Sequence, residues 1–559
     1  MLNLLKDGKK LRAKKMKYPK LIEIPSSREM VEVFKGYNHN LRIGSGEFYD
    51  MKNLSSDNFP ILSPRVKRGV YKAGVLPCAI IGKDALCYVD GGDFVVGGDR
   101  VSMGLSDTEK TLVSMGAYVV IMPDKMYINT VKGDNGYEYG DIEKTASFSN
   151  VTYAPCNVEG EAVSTGDATY IKISADGIGD AFSLYDGVTI SGAEIPDLNA
   201  SMAIWTKGED YIVVMGVLSE TKTQTTPITL ERKMPDMDFI IESGNRLWGC
   251  KYGHNAKGDM VNEIYASKLG DFKNWNCFMG VSTDSYSVQL GSDGPFTGAV
   301  THLGYPLFFK ENCVHKVYGN FPANYQIQTT ACRGVQKGSD KSLAIVNEVL
   351  FYKANSGICA YDGSLPVEMS AVLGDMTYSD AVGGVLGNKY YVSMKDVGGE
   401  YHLFVYDTMR GMWHREDSTQ VEMFCNHKGN LYYVPHADDN GQTPIMRVRG
   451  TGNGDVLEGD PIKWEAVTGI LGTDSPDKKY ISRIDVRMQL SVGTRVIFFA
   501  EYDSSGSWEH LFTMTGRSLQ SFAIPIRPQR CDHMRLKIEG AGDAKIFSIC
   551  KTVEDGSDV

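Results

Sequence analysis

The chain has 559 residues, 58 Lys and Arg against 69 Asp and Glu, and a net charge of −11. That length exceeds one ordinary core and predicts two or three domains, while 42% hydrophobic and 23% charged residues exclude dominant disorder. The negative balance excludes a general nucleic-acid-coating surface, and 60 Gly with 30 Tyr and 21 Phe suit many turns joining aromatic strands rather than long helices.

Residues 1–29 read as a basic arm. Within 6–20, Lys6, Lys9, Lys10, Arg12, Lys14, Lys15, Lys17 and Lys20 stand against one acid, Asp7. Such a run is a solvated terminus, or a segment that docks on an acidic neighbour or faces DNA. No apolar stretch of about 7–15 residues follows it, so no signal peptide is expected. Ser26-Ser27-Arg28-Glu29 has the form of a capping box, but Val31 and Val33 alternate like a strand, so no helix is expected there.

Residues 30–130 carry paired short strands: 84–89 (DALCYV) with 93–96 (DFVV), then 117–122 turning at Pro123-Asp124-Lys125 into 126–129. Between 131 and 235 the pattern is lost, although 169–173 (TYIKI) and 210–214 (DYIVV) alternate. This stretch reads as a small β insertion, with a misread blade as the alternative. From 236 to 459 the hairpins return. Phe308, Phe351, Tyr391 and Tyr432 centre successive strands at steps of 43, 40 and 41 residues. A repeat of about 40–45 residues with short strands marks β-propeller blades. A lone blade leaves its apolar faces bare, so several copies must stack, and six or seven are expected. Residues 460–559 alternate at period two with longer loops, as in 480–488 and 534–538, and predict a C-terminal β-sandwich. The expected fold is therefore all-β: a propeller with an inserted β domain and a terminal sandwich.

Eleven scattered cysteines with no CxxC pair give neither a disulfide framework nor a structural zinc site. No run of 18 apolar residues occurs, so no membrane-spanning segment is expected. The motif search for chemistry is negative: no GxSxG, HExxH or Walker-type loop is present. Gly291-Ser292-Asp293-Gly294 and Gly383-Gly384 read as turns. His302 with His315, or His402 with His414, are candidate cross-strand metal pairs, weighed against ordinary rim histidines. The Asp box S-x-D-x-G-x-x-W of propeller sialidases is absent, and the acids sit mostly in turns. The expectation is a non-enzymatic protein without cofactor, metal or catalytic residues.

Three stretches together resemble the tail hub or nozzle propellers of tailed double-stranded-DNA phages, including packaged-DNA stabilisation proteins. They are 34–38 with 46–54 and 59–65, then 264–276 (IYASKLGDFKNWN), then 307–319. The resemblance covers about 30–455. It implies a virion structural protein made in the bacterial cytoplasm and assembled as a ring, commonly a hexamer, on the portal and adaptor. Such a ring extends or closes the DNA exit channel, carries fibres, and passes DNA without sequence-specific binding. The basic arm would then grip an acidic adaptor. The alternative is a receptor-binding or baseplate propeller that recognises a cell-surface glycan, which should expose clustered Trp or Tyr; a third reading, a glycan hydrolase, needs carboxylates converging on the central channel.

Overall fold

The structure, a computed structural model, describes residues 26–163, 168–255, 258–437, 443–450, 456–472, 479–516, 519–525, 529 and 531–555. It is all-β, and its centre is a propeller of seven blades, each an antiparallel sheet of four main strands. Blades 1 to 6 occupy residues 77–102, 111–141, 239–289, 298–331, 344–368 and 378–415. Blade 7 takes three strands from 421–447 and its fourth, Gly69–Lys72, from before blade 1. Val456–Leu457 pairs on the free side of that strand. The innermost strands Val421–His427 and Pro77–Gly82 lie side by side, so the ring is closed. Closure buries the last pair of blade faces, which an open ring would leave wet.

Burial explains why the repeat is legible. Each blade's second strand is sandwiched between neighbouring blades and reads as a continuous apolar run. Tyr305–Lys310 and Val349–Ala354 are buried at every position after the first, and Lys389–Asp396 at its first six. Outer strands such as Gln326–Ala331 are mostly exposed and carry no comparable signal. The aromatic residues spaced by 40–43 positions all fall on second strands.

Gly383 and Gly384, expected in a turn, instead lie inside the innermost strand of blade 6, Tyr378–Leu386. A Cβ on Gly384 would stand 2.6 Å from the Phe424 ring. Gly384 lets blade 7 approach, while Gly383, where a Cβ would stand 2.6 Å from the Ser342 carbonyl oxygen, makes room for the turn that opens blade 5.

The insertion follows blade 2 and comprises two sheets, one of four and one of five strands, within 144–232. Its own core contains Tyr153, Ile171, Ile173, Val188, Ile212 and Leu230. It is anchored to blade 3 by the 264–276 motif. Asn274 donates to Asp186 Oδ1 at 2.9 Å and accepts from the Gly187 amide at 2.9 Å. Arg232 pairs with Asp186 at 2.8 Å. A Cβ on Gly187 would lie 2.5 Å from the Asn276 carbonyl oxygen, so only glycine permits this contact.

The sandwich recruits the beginning of the chain. Ser26–Val31 adds to the sheet of Ala544–Asp555, and Glu47–Lys52 pairs with Lys463–Thr468. Gly36–Tyr37 runs parallel to Glu47–Lys52, and Tyr37 bridges to Trp413 of blade 6. Residues 34–55, expected to lead into the first blades, therefore form a seam between sandwich and propeller. Blade 1 begins only at Pro77. The reason is packing: Phe34, Phe48 and Met51 complete a core shared by Trp413 of blade 6 and by Trp464, Phe498 and Leu536 of the sandwich.

Candidate functional site

Strand direction alternates across each blade. The loops that lead into the innermost strands and the hairpins between second and third strands therefore share one face of the ring. On that face an axial cavity of about 280 Å³ lies between blades 2, 3, 4 and 5. Three carboxylates line it: Glu109 just before the innermost strand of blade 2, Asp238 just before that of blade 3, and Asp340 in the single turn preceding that of blade 5. Met122, Pro123, Phe239, Ile240 and Ala299 give it an apolar wall.

The three acids have different surroundings. Glu109 receives Lys341 from blade 5 at 2.5 Å, and the same ammonium approaches the Glu422 carbonyl of blade 7 at 3.4 Å. Lys341 thus ties the loops of three blades together. Asp238 accepts from Lys251 and from the Tyr252 amide, both at 2.8 Å. Burial pushes the Asp340 carboxyl above the ordinary carboxylate range; its own amide and Lys341 oppose the rise and the charge of Glu109 adds to it. One acid biased toward its protonated form beside two engaged carboxylates is the division that acid–base chemistry on a glycosidic bond requires.

The sequence pattern did not point to these residues, because acids before a strand read as turn caps. What they share is position, one to four residues ahead of an innermost strand. Aligning first strands rather than second strands exposes it.

The residues singled out from sequence go elsewhere. The basic arm, Lys6, Lys9, Lys10, Arg12, Lys14, Lys15, Lys17 and Lys20, lies outside the described residues. His302 donates to the Glu348 carbonyl at 2.6 Å, whereas His315 meets Ser292 at 3.0 Å and Thr329 at 2.8 Å. Burial lowers His315 to about 4 and the fully buried His414 to about 3, so both are neutral core imidazoles. His402 pairs instead with Asp396 at 2.8 Å. Asp396, Glu400 and His402 bring their ligating atoms within 4.8 Å of one another, the group among the described residues that has metal-binding composition. Asp284 caps a turn, with Oδ2 accepting from the amides of Met279, Gly280 and Val281.

Of the six tryptophans, Trp248, Trp275, Trp413 and Trp464 are buried. Trp205 on the insertion is half-buried, with Tyr170 against it edge-on at 5.6 Å. Lys172 sits 3.9 Å over Tyr211 on the neighbouring strand. These half-buried rings are engaged with one another and with Lys172.

No protein-family model matches the sequence, and no curated protein does. Among solved structures, the chain is similar to an exo-β-1,3-galactanase from Phanerochaete chrysosporium, with 9% identity over 56% of this chain and 94% of that one at a TM-score of 0.22. It is similar to the propeller domain of the Trilobed protease from Pyrococcus furiosus, with 11% identity, 58% and 90% coverage and a TM-score of 0.25. It is also similar to the endosialidase of phage phi92, with 9% identity, 69% and 68% coverage and a TM-score of 0.24. The expectation of a non-enzymatic protein is corrected here. The structures it is similar to include glycoside hydrolases and an endosialidase. The shared property is an all-β propeller fold.

Proposed function

We propose that this chain is a glycan-acting β-propeller that holds a polysaccharide over the axial cavity and cleaves a glycosidic bond there. Asp340 serves as the acid that protonates the leaving oxygen, and Glu109 or Asp238 supplies the carboxylate partner. The observation that carries this reading is the convergence of three blades' carboxylates on one cavity, where burial pushes the Asp340 carboxyl up. The resemblance of residues 30–455 to phage tail propellers supports a bacterial surface polysaccharide as the substrate and a virion as the setting.

The test is incubation of the protein with purified capsular and lipopolysaccharide glycans, reading new reducing ends. Asp340→Asn is expected to lower the rate by about 10²–10⁴-fold while glycan binding persists, the usual range for loss of a general acid. Because the acid works in its protonated form, activity should fall as pH rises through the elevated pKa of Asp340. Equal activity of Asp340→Asn and wild type, or neither binding nor cleavage of any glycan, overturns the reading.

A further inference from the structure

A second cavity, about 60 Å³, opens on the same face between blades 5 and 6. Its chemistry centres on one residue. Lys353, in the second strand of blade 5, is only 2% exposed and lines this space together with Glu368, Ser370, Gly374, Tyr378 and Met394. An ammonium carries three N–H donors, and Lys353 uses one of them, on the Ala354 carbonyl at 2.6 Å. Lys310 of blade 4 shows the contrast. It is equally buried, yet it donates to Asn262 at 3.0 Å and to the Ser292 carbonyl at 2.9 Å, and lies 4.9 Å and 4.7 Å from the Tyr252 and Phe296 rings. No comparable set surrounds Lys353, and a cavity stands there instead.

Glu368, on the rim of the same cavity, favours the charge of this amine through space without pairing with it. Glu368 is turned to Arg333, which it meets at 3.0 Å. Burial raises the Cys359 thiol and takes the Tyr378 hydroxyl to about 12, so both are neutral. Behind Gly374 stands His39, whose Nδ1 meets the Tyr49 carbonyl at 2.9 Å. Asp396, across the strand pair from Tyr378, is engaged by His402. A buried cation whose nearest carboxylate is held by another partner is costly, and an anion brought into direct contact with it relieves that cost.

We propose that the Lys353 cavity binds a carboxylate group, with two free ammonium N–H groups donating to its oxygens. The space admits a few water-sized groups, enough for one carboxylate. The ring would lie outside, on the rim. The carboxylate belongs to an acidic sugar of the bound glycan; this clause rests on the glycan reading, whereas the carboxylate site itself does not. Burial lowers the free amine to about 8, so a site that needs the ammonium form loses affinity above that pH.

The probes are sodium glucuronate, sodium acetate and glucose, titrated calorimetrically into the full chain. Glucuronate is expected to bind saturably and glucose not to bind here. Lys353→Met should weaken glucuronate at least tenfold while Asp340→Asn leaves it unchanged, which separates this site from the axial cavity. In the wild type, glucuronate affinity should fall about tenfold between pH 7 and pH 9 as the amine deprotonates; this measurement decides the matter even if the variant does not fold. Tighter binding of glucuronate than acetate supports the acidic-sugar source, and equal affinities support the carboxylate site while overturning that source. Absence of glucuronate binding, or equal binding to Lys353→Met with no pH dependence, overturns the proposal.

Discussion

Arg68 stands where the ring closes, immediately before the strand Gly69–Lys72. Its guanidinium meets Glu416 at 2.7 Å and Asp417 at 3.0 Å, and Arg65 beside it meets Glu458 at 2.9 Å. Burial opposes the Arg68 charge, but Tyr433, Asp417 and Glu416 outweigh it and hold its pKa well above the ordinary value. Removing one partner of such a network strands the others. Arg68→Met is therefore expected to cost about 3–5 kcal/mol in chemical unfolding, with loss concentrated at the closure. The same network sets an acid limit. Burial works against the ionised forms of Asp417 and Glu458, yet their arginine partners and hydrogen bonds lower both pKa values. A carboxyl depressed in the folded state contributes stability above its unfolded pKa and loses it as pH falls through the folded value. The melting temperature should stay level from neutral pH to about 5 and drop below about 4, the carboxylate range, and Arg68→Met should flatten that drop. Asp340 has the opposite sign. Its raised pKa makes ionisation unfavourable to the fold, so Asp340→Asn should melt higher than wild type at pH 7 and equally at pH 3.

At the scale of elements, docking of the insertion depends on few groups. Asp186 is 2% exposed and joins Arg232 of the insertion to Asn274 of blade 3. Asp186→Ala leaves both partners short of an acceptor and is expected to cost about 2–4 kcal/mol. Because the insertion has a core of its own, the loss should show as faster proteolysis near residues 142–144 and 232–236 while the propeller's main transition stays in place. The 264–276 motif was readable as a blade edge, and it is one. That its Asn274 faces the insertion was not readable, because the insertion's register against blade 3 depends on where the two joints meet in space.

The whole molecule is a ring and a sandwich laced by the first strands of the chain. Ending the chain after residue 460 removes Lys463–Thr468 and bares Glu47–Lys52, including Phe48 and Met51, which are 2% and 0% exposed. Such a chain is expected to aggregate rather than give a free propeller, since a bared strand edge beside apolar side chains pairs with another chain. Light scattering during refolding checks this. Removing 144–232 and joining the ends with a short Gly-Ser linker should instead leave a soluble ring, because the inner strands of blades 2 and 3 already lie side by side.

The spacing of apolar runs by itself determined that the chain is an all-β propeller carrying an insertion and a terminal sandwich. Second strands are buried on both faces, so their composition has no freedom and the repeat survives in it. Blade number, ring closure by Gly69–Lys72 and the seam of residues 34–55 were decided only in the tertiary structure, because each joins strands hundreds of residues apart. The axial carboxylates belong to the same class. Glu109, Asp238 and Asp340 look like turn acids one at a time, and closing the ring is what brings them to one cavity, where burial raises the Asp340 carboxyl.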